Sequence, residues 1–154
     1  MRIMKSVVVV VGFVALASAC GGSTASPPGE PANPAVQGQA IGVTLDEFKV
    51  AVDTNTVPAG KVTFEITNSG HEKHELVILR TDLAVNVIPE NPSEKNKLTE
   101  DSQNLGIVHV TEYDGVDPGK EWNLVADLPS GHYLLLCNYP GHAHAGMVAF
   151  LTVT

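Results

Sequence analysis

A short segment near the C-terminus carries three side chains that bind soft metal ions. Cys137, His142 and Met147 supply a thiolate, an imidazole and a thioether with the spacing Cys-x4-His-x4-Met. Sulfur donors combined with imidazole select copper over magnesium or calcium. Two histidines and one cysteine in a plane, with a weak axial methionine, form the blue-copper type of electron-transfer site. The segment therefore supplies three ligands of such a site and predicts one more histidine elsewhere in the chain.

His74 is the histidine that we predict as the fourth ligand. It precedes the apolar run Leu76–Leu79, so a strand that begins there would fix the face to which its side chain points. His71 is the alternative, but it lies inside the preceding turn. His144 is the corresponding alternative to His142. His71 and His144 are also candidates for a weak auxiliary copper site.

Each of these side chains has an ordinary structural interpretation when it is considered alone. A free cysteine such as Cys137 is most often a buried structural thiol, and Met147 alone would be assigned to core packing. His142 alone would be assigned to the surface. The joint pattern favours a metal site over these separate interpretations. His109 and His132 lie far from the segment in sequence, and we interpret them as polar-face or partly buried residues.

The elements that must position these ligands are short β-strands. Apolar and polar residues alternate in several runs, separated by turn signals rich in proline, glycine, asparagine and serine. The apolar positions of these runs are Phe48, Val50 and Val52; Val62, Phe64 and Ile66; Leu76 to Leu79; Val108 and Val110; Leu124 and Ala126; Tyr133, Leu135 and Cys137; and Val148, Phe150 and Thr152. The polar stretch 89–103 is predicted as an excursion with at most a turn or two. Many short strands with frequent turns predict an all-β, antiparallel sandwich.

The two-part pattern resembles the cupredoxin family, of the plastocyanin-like and azurin-like type, over residues 41–154. The early part is His74-Glu75-Leu76-Val77-Ile78, and the late part contains Pro140-Gly141-His142 and Ala145-Gly146-Met147. The resemblance implies a Greek-key β-sandwich of about seven to eight strands. It also implies one type 1 copper ion that cycles between Cu(I) and Cu(II). Its ligands would be His74, Cys137, His142 and Met147.

The resemblance further implies a single-electron carrier, not an enzyme. Glu75 and Asn138 are the residues expected beside the sulfur, with backbone N–H groups of Glu75 and of the loop between Cys137 and His142 as donors. The small and apolar neighbours of His142 suit brief docking of a redox partner, and the acidic charge would steer a basic one. Such partners include a cytochrome, a respiratory or photosynthetic complex, or a copper oxidase or reductase. The protein is expected to be a monomer.

Two other functions are alternatives to electron transfer. Copper binding and trafficking at the cell surface is the main alternative, because His71 and His144 add imidazoles near the predicted site. A copper oxidase or nitrite reductase is disfavoured, since one short domain offers a single His-x-His pair, at 142 and 144. A carrier and a trafficking protein differ in the spectrum of their Cu(II) state.

The N-terminus predicts export and a lipid anchor. Arg2 and Lys5 precede an apolar run over residues 7–17, which is typical of a signal peptide and too short for a spanning helix. Leu16-Ala17-Ser18-Ala19-Cys20 resembles a bacterial lipobox, in which Cys20 would be lipidated. Ordinary cleavage before Cys20 is the alternative. We therefore expect a protein anchored to the cell membrane and facing the periplasm or the cell exterior.

Length and composition limit the remaining possibilities. The chain of 154 residues suits one domain, and its formal charge of −8 argues against nucleic acid as a partner. The predicted organisation is a signal peptide over residues 1–19, a lipidated flexible linker over residues 20–40 and a copper domain over residues 41–154. Removal of residues 1–19 would change the formal charge to −10, because that segment contains two basic and no acidic residues. With Cys20 and Cys137 in separate roles, no disulfide is expected.

Overall fold

The computed structural model describes residues 31–154. The predicted signal peptide, Cys20 and most of the predicted linker lie outside the described residues. Asn33–Thr154 forms a compact unit. Among the described residues, no helix combines the length and the apolar character needed to cross a membrane. The predicted domain boundaries remain predictions.

The described residues form nine strands in two sheets. The strands are β1 (Gln39–Asp46), β2 (Lys49–Val52), β3 (Thr56–Val57), β4 (Gly60–Asn68), β5 (His74–Arg80), β6 (Val108–Val116), β7 (Glu121–Leu128), β8 (Gly131–Leu136) and β9 (Val148–Val153). One sheet has the order β2-β1-β4-β7 and the other the order β3-β9-β8-β5-β6. The predicted all-β sandwich is confirmed.

The sheets are mixed, whereas the sequence pattern predicted an antiparallel sandwich. β1 runs parallel to β4, and β3 runs parallel to β9, while the other pairs are antiparallel. Alternation along a strand reports which side chains are buried but carries no information on the direction of the neighbouring strand. The structure has nine strands where about seven to eight were expected. The two-residue strand β3 is too short to show a periodic pattern in the sequence.

The main core lies between the two sheets. Ile41, Phe64 and Ile66 from one sheet share an apolar cluster with Leu76 and Leu135 from the other. The predicted inward positions of β4 and β8 are all buried. Burying apolar side chains from both faces in one cluster is what holds a sandwich of this size together.

β5 is buried on both faces, which explains its continuous apolar run. Leu76 and Ile78 point into the main core, while Val77 and Leu79 belong to a second cluster on the outer face of the sheet. The excursion between β5 and β6, which spans residues 81–107 and includes the predicted stretch 89–103, covers that face. Its apolar side chains in the second cluster are Ile88, Leu98 and Ile107, with Leu83 and Val85 at the edge. A strand covered on both faces needs no polar positions.

The excursion contains little regular structure, as predicted. Its described elements are two short 3₁₀ turns, at Val85–Val87 and Gln103–Leu105. Two isolated bridges, Glu90 with Leu98 and Ser102 with Ile107, close it into compact loops. The excursion is therefore a cover for the sheet rather than a separate helical element.

Three predicted core residues lie at the surface instead. Phe48 is 47% exposed, Val108 47% and Phe150 56%. In β9 the buried positions are Leu151 and Val153, so the inward phase is one residue out of step with the prediction. β9 has apolar residues in both phases, and periodicity alone cannot choose between them. Val108 begins an edge strand, and Phe48 lies in the turn between β1 and β2.

Candidate metal centre

Three predicted ligands converge at one end of the sandwich. The ligand atoms of His74, Cys137 and His142 all lie within 4.8 Å of one another. Cys137 Sγ is 3.4 Å from His142 Nδ1 and 4.0 Å from His74 Nδ1. His74 and Cys137 are fully buried. The three side chains therefore present one sulfur and two ring nitrogens to a common point.

Strand pairing brings His74 and Cys137 together. β5 and β8 are antiparallel neighbours in which Val77 pairs with Leu136. His74 begins β5 and Cys137 directly follows β8, so both residues lie at the same end of the sheet. The sequence separation of 63 residues is thus closed by a single pair of strands.

His142 and Met147 are positioned by the loop between β8 and β9. Met147 N–H donates to His142 O at 3.1 Å, and Cys137 N–H donates to Met147 O at 3.1 Å. The Met147 side chain is fully buried in the same core cluster as Cys137. Gly141 and Gly146 have φ values of 90° and 105°, which suit glycine and allow the loop to turn back tightly.

The sulfur of Cys137 lies in a dry environment with two backbone donors. Burial raises the pKa of the thiol to about 11, and the N–H groups of Glu75 and Tyr139, which bond to the sulfur, act in the opposite direction. Without a metal ion the thiol is therefore protonated at neutral pH, and metal binding must release that proton. Of the two residues predicted beside the sulfur, Glu75 supplies a donor. Tyr139, which lies in the loop expected to supply a donor but was not singled out, supplies the other.

The side chain of Asn138 forms hydrogen bonds between the metal-binding loop and the excursion. Its amide donates to Leu98 O at 2.9 Å and to Glu100 Oε1 at 2.7 Å, and its Oδ1 accepts Leu98 N–H at 2.7 Å. Its backbone N–H bonds to the carboxyl group of Glu75. Asn138 therefore ties the excursion to the metal-binding loop. The position of Asn138 directly after Cys137 predicted a role near the sulfur, but it did not predict the side-chain bonds to the excursion.

Glu75 is a buried acid beside the centre. Only 5% of the residue is exposed. Burial raises the pKa of its carboxyl group to about 7, and the positive charge of Lys97 offsets part of the rise. The centre therefore has an acidic group close to the sulfur that is much less readily ionised than an exposed glutamate.

His142 forms the link between the centre and the surface. Its side chain is 12% exposed, and its Nε2 lies 3.7 Å from Glu72 Oε2. Its ring contacts Phe48 edge-on with 5.3 Å between centroids, and Tyr139 with 5.9 Å. Burial, followed by the nearby His74, lowers the pKa of its imidazole. The exposed Phe48 is thus part of the surface around His142, although alternation assigned it to the core.

The other histidines lie outside this group. The His71 side chain is 96% exposed, and the His144 side chain is 44% exposed with Nε2 at 3.6 Å from Glu90. Neither belongs to the ligand cluster around Cys137. His132 is exposed and contacts Asp82, at 2.8 Å. His109 belongs to a separate group of possible ligands with Glu100 and Glu112.

A protein-family model described as the Sulfocyanin (SoxE) domain matches residues 46–154. That match covers well over half of the chain. The chain belongs to the sulfocyanin family. The family assignment that the resemblance to cupredoxins implied is thereby confirmed, because sulfocyanins are cupredoxins with a blue copper site. A sequence search of curated proteins found no match.

Solved structures of auracyanins and of rusticyanin have the same fold. Reduced auracyanin from the photosynthetic bacterium Roseiflexus castenholzii is 25% identical, with a TM-score of 0.57 over 76% of this chain and 98% of its own. Auracyanin B is 22% identical, with a TM-score of 0.53 over 80% of this chain and 93% of its own. Rusticyanin from Thiobacillus ferrooxidans is 17% identical, with a TM-score of 0.52 over 77% of this chain and 79% of its own.

The donor set of this sulfocyanin fits the copper ion of its family. A buried cysteine sulfur and two imidazoles converge within 4.8 Å, and a buried thioether follows on the same loop. Soft sulfur with imidazole is the combination that copper prefers in a type 1 site. The predicted cofactor, one type 1 copper ion, is therefore confirmed for the family and matched by the donors of this chain.

Proposed function

We propose that this sulfocyanin is an exported, lipid-anchored protein that carries single electrons between redox partners and catalyses no reaction of its own. The convergence of His74, Cys137 and His142 within 4.8 Å is the observation that supports the electron-carrier part of the proposal, and the lipobox-like sequence that ends at Cys20 supports export and the anchor. Cys137, as thiolate, would hold the copper ion together with His74 and His142, and Met147 would be a further, weaker ligand. A bound copper ion supplies one-electron Cu(I)/Cu(II) chemistry.

The fold supports fast transfer because the ligands come from rigid elements. His74 and Cys137 are fully buried at the ends of paired strands, and the Met147 backbone is bonded to both Cys137 and His142. Ligands held in this way move little when the charge of the site changes. A small rearrangement between oxidation states means a small barrier to electron transfer.

The surface around His142 is the proposed route for the electron. The ring of His142 reaches the surface beside the exposed Phe48, so a partner that docks there would meet the edge of a ligand. The carboxylates of Glu72 and Glu90 flank this region through their contacts with His142 and His144. An apolar centre with an acidic rim suits a brief, salt-sensitive encounter with a basic redox protein.

The test is the visible spectrum and voltammetry of the chain loaded with Cu(II). An electron carrier should show an intense visible band and a reversible one-electron wave with copper retained. A colourless Cu(II) protein would contradict the proposal. A protein that binds Cu(I) and hands it to a metal-free acceptor, with no reversible wave, would instead support copper trafficking.

Lipidation is tested with the variant Cys20→Ser in a bacterial host that processes lipoproteins. The wild-type chain should incorporate labelled fatty acid and sediment with membranes. C20S should lose the label completely and appear in the soluble fraction, because the acylated thiol is absent. Cys137→Ser is the matched control and should keep the label. Labelled C20S, or an unlabelled wild-type chain, would refute the anchor.

Met147→Leu tests the axial assignment. Leucine has nearly the volume of methionine but no sulfur donor, so the fold should persist while Cu(II) loses a ligand. We expect Cu(I) to be favoured about tenfold more, which raises the potential by about 59 mV for one electron. Voltammetry and copper analysis measure the two effects. Loss of copper, or an unchanged potential, would show that Met147 is not a weak axial ligand.

A further inference from the structure

Glu47 is a conspicuous carboxylate at the metal end of the sandwich. It directly follows β1, in the turn to β2, and no motif in the sequence singled it out. Its Oε1 accepts the backbone N–H of His71 at 2.6 Å and that of Glu72 at 2.8 Å. Two backbone N–H groups that donate to one carboxyl group favour its charged form. Glu47 therefore connects the loop before β5 to the end of β1 by hydrogen bonds.

The loop is shaped to receive this carboxylate. A Cβ atom added at Gly70 would lie 2.5 Å from Glu47 Oε1, closer than such atoms can approach. Asn68 supports the same loop, since its side chain bonds to Glu72 O at 2.8 Å and accepts Gly70 N–H at 2.9 Å. Glycine at position 70 thus leaves the space that the Glu47 side chain fills.

The same carboxylate faces the ring of His74. His74 Nε2 is buried without a hydrogen-bond partner among residues 31–154, and Glu47 Oε1 lies 3.4 Å from it. His74 Nδ1 points the other way, towards Cys137 Sγ at 4.0 Å. A histidine that binds a metal through Nδ1 carries its proton on Nε2, and a carboxylate next to that proton orients the ring and makes it a more basic ligand.

We propose that Glu47 is the positioning residue of His74, which it holds in the Nε2-protonated tautomer, and that its negative charge lowers the copper potential. The inference rests on the proposed function, because it assumes that Nδ1 of His74 is the copper ligand. The hydrogen bonds that Glu47 accepts and the negative charge that it carries can be tested separately. A glutamine oxygen can accept the N–H groups of His71 and Glu72 as glutamate does, but it carries no charge. Alanine removes both the bonds and the charge.

The experiment compares three variants of the full chain. Glu47→Gln should keep the visible band and raise the potential, by about 59 mV for each tenfold loss of preference for Cu(II). Glu47→Ala should in addition weaken Cu(II) binding about 10- to 100-fold, the usual effect of removing an outer partner of a metal-bound histidine. Glu65→Gln is the matched control, because Glu65 is an exposed glutamate on β4 and its loss changes the net charge equally. It should leave the potential unchanged.

A second measurement does not depend on copper. Nitrogen-15 NMR of the metal-free wild-type chain should show the His74 proton on Nε2, and Glu47→Ala should shift part of the population to Nδ1. Equal potentials in Glu47→Gln and Glu65→Gln, or a His74 tautomer unaffected by Glu47→Ala, would overturn the inference. A wild-type chain that never develops the blue band would refute the proposed function, and the NMR result would still decide whether Glu47 orients His74.

Discussion

Cys137→Ser is expected to abolish the visible band of the Cu(II) protein and its reversible one-electron wave. The band requires a thiolate bonded to copper, and a serine hydroxyl is neither soft nor deprotonated at neutral pH. Cys137 is fully buried between two backbone donors, so water cannot easily take the place of its sulfur. We expect Cu(I) affinity to fall by more than about 100-fold, since even outer partners of a ligand cost about 10- to 100-fold.

The chain contains a natural control for this experiment. Cys20 is its other cysteine, so Cys20→Ser changes the same functional group outside the described domain. C20S should keep the full band. The metal-free C137S chain should fold, because its hydroxyl can accept the N–H groups of Glu75 and Tyr139, and circular dichroism can verify this. A blue C137S protein would show that copper is bound elsewhere.

Asn138→Ala is expected to lower the free energy of unfolding of the metal-free chain by about 3 kcal/mol. The Asn138 side chain satisfies both the N–H and the C=O of the buried Leu98, and it also donates to Glu100. Each buried backbone group left without a partner costs about 1–3 kcal/mol. Denaturant unfolding followed by circular dichroism measures the loss.

Asn123→Ala is the matched comparison for Asn138→Ala. The Asn123 side chain donates one bond, to Pro34 O at 2.8 Å, in a less buried setting, so we expect a loss of about 1 kcal/mol or less. Hydrogen exchange should also become faster in the excursion near Leu98 in N138A but not in N123A. Equal losses in the two variants would mean that Asn138 does not anchor the excursion.

The part of the site that the sequence predicted is the part that is local. Cys137, His142 and Met147 share one loop, and their residue types and spacing already indicate the donor set. His74 was found because it precedes an apolar strand in the pattern of the family. The residues that surround the ligands were harder to predict. Tyr139 acts through its backbone N–H, which every residue except proline possesses, so its side chain gives no signal.

Only some features of the fold could be predicted from the local sequence. The alternation in β4 predicted its buried face correctly, because apolar residues occupy only one phase there. In β8 both phases are apolar, and both are buried because the strand is covered on its two faces. In β9 both phases are apolar, and the choice depended on packing against the opposite sheet. The excursion covers the outer face of β5, a contact that the apolar run over residues 76–79 allowed but did not specify.

The sequence by itself determined the chemistry of this sulfocyanin, since a thiolate, two imidazoles and a thioether in this pattern select copper. Only the tertiary structure decided what surrounds that chemistry. Glu47 lies 27 positions before His74, and it reaches the ring because the turn after β1 and the loop before β5 meet at one end of the sandwich. Spacing along a chain constrains neighbours within a loop or strand. The meeting of distant segments depends on strand order and on which loops close over the site.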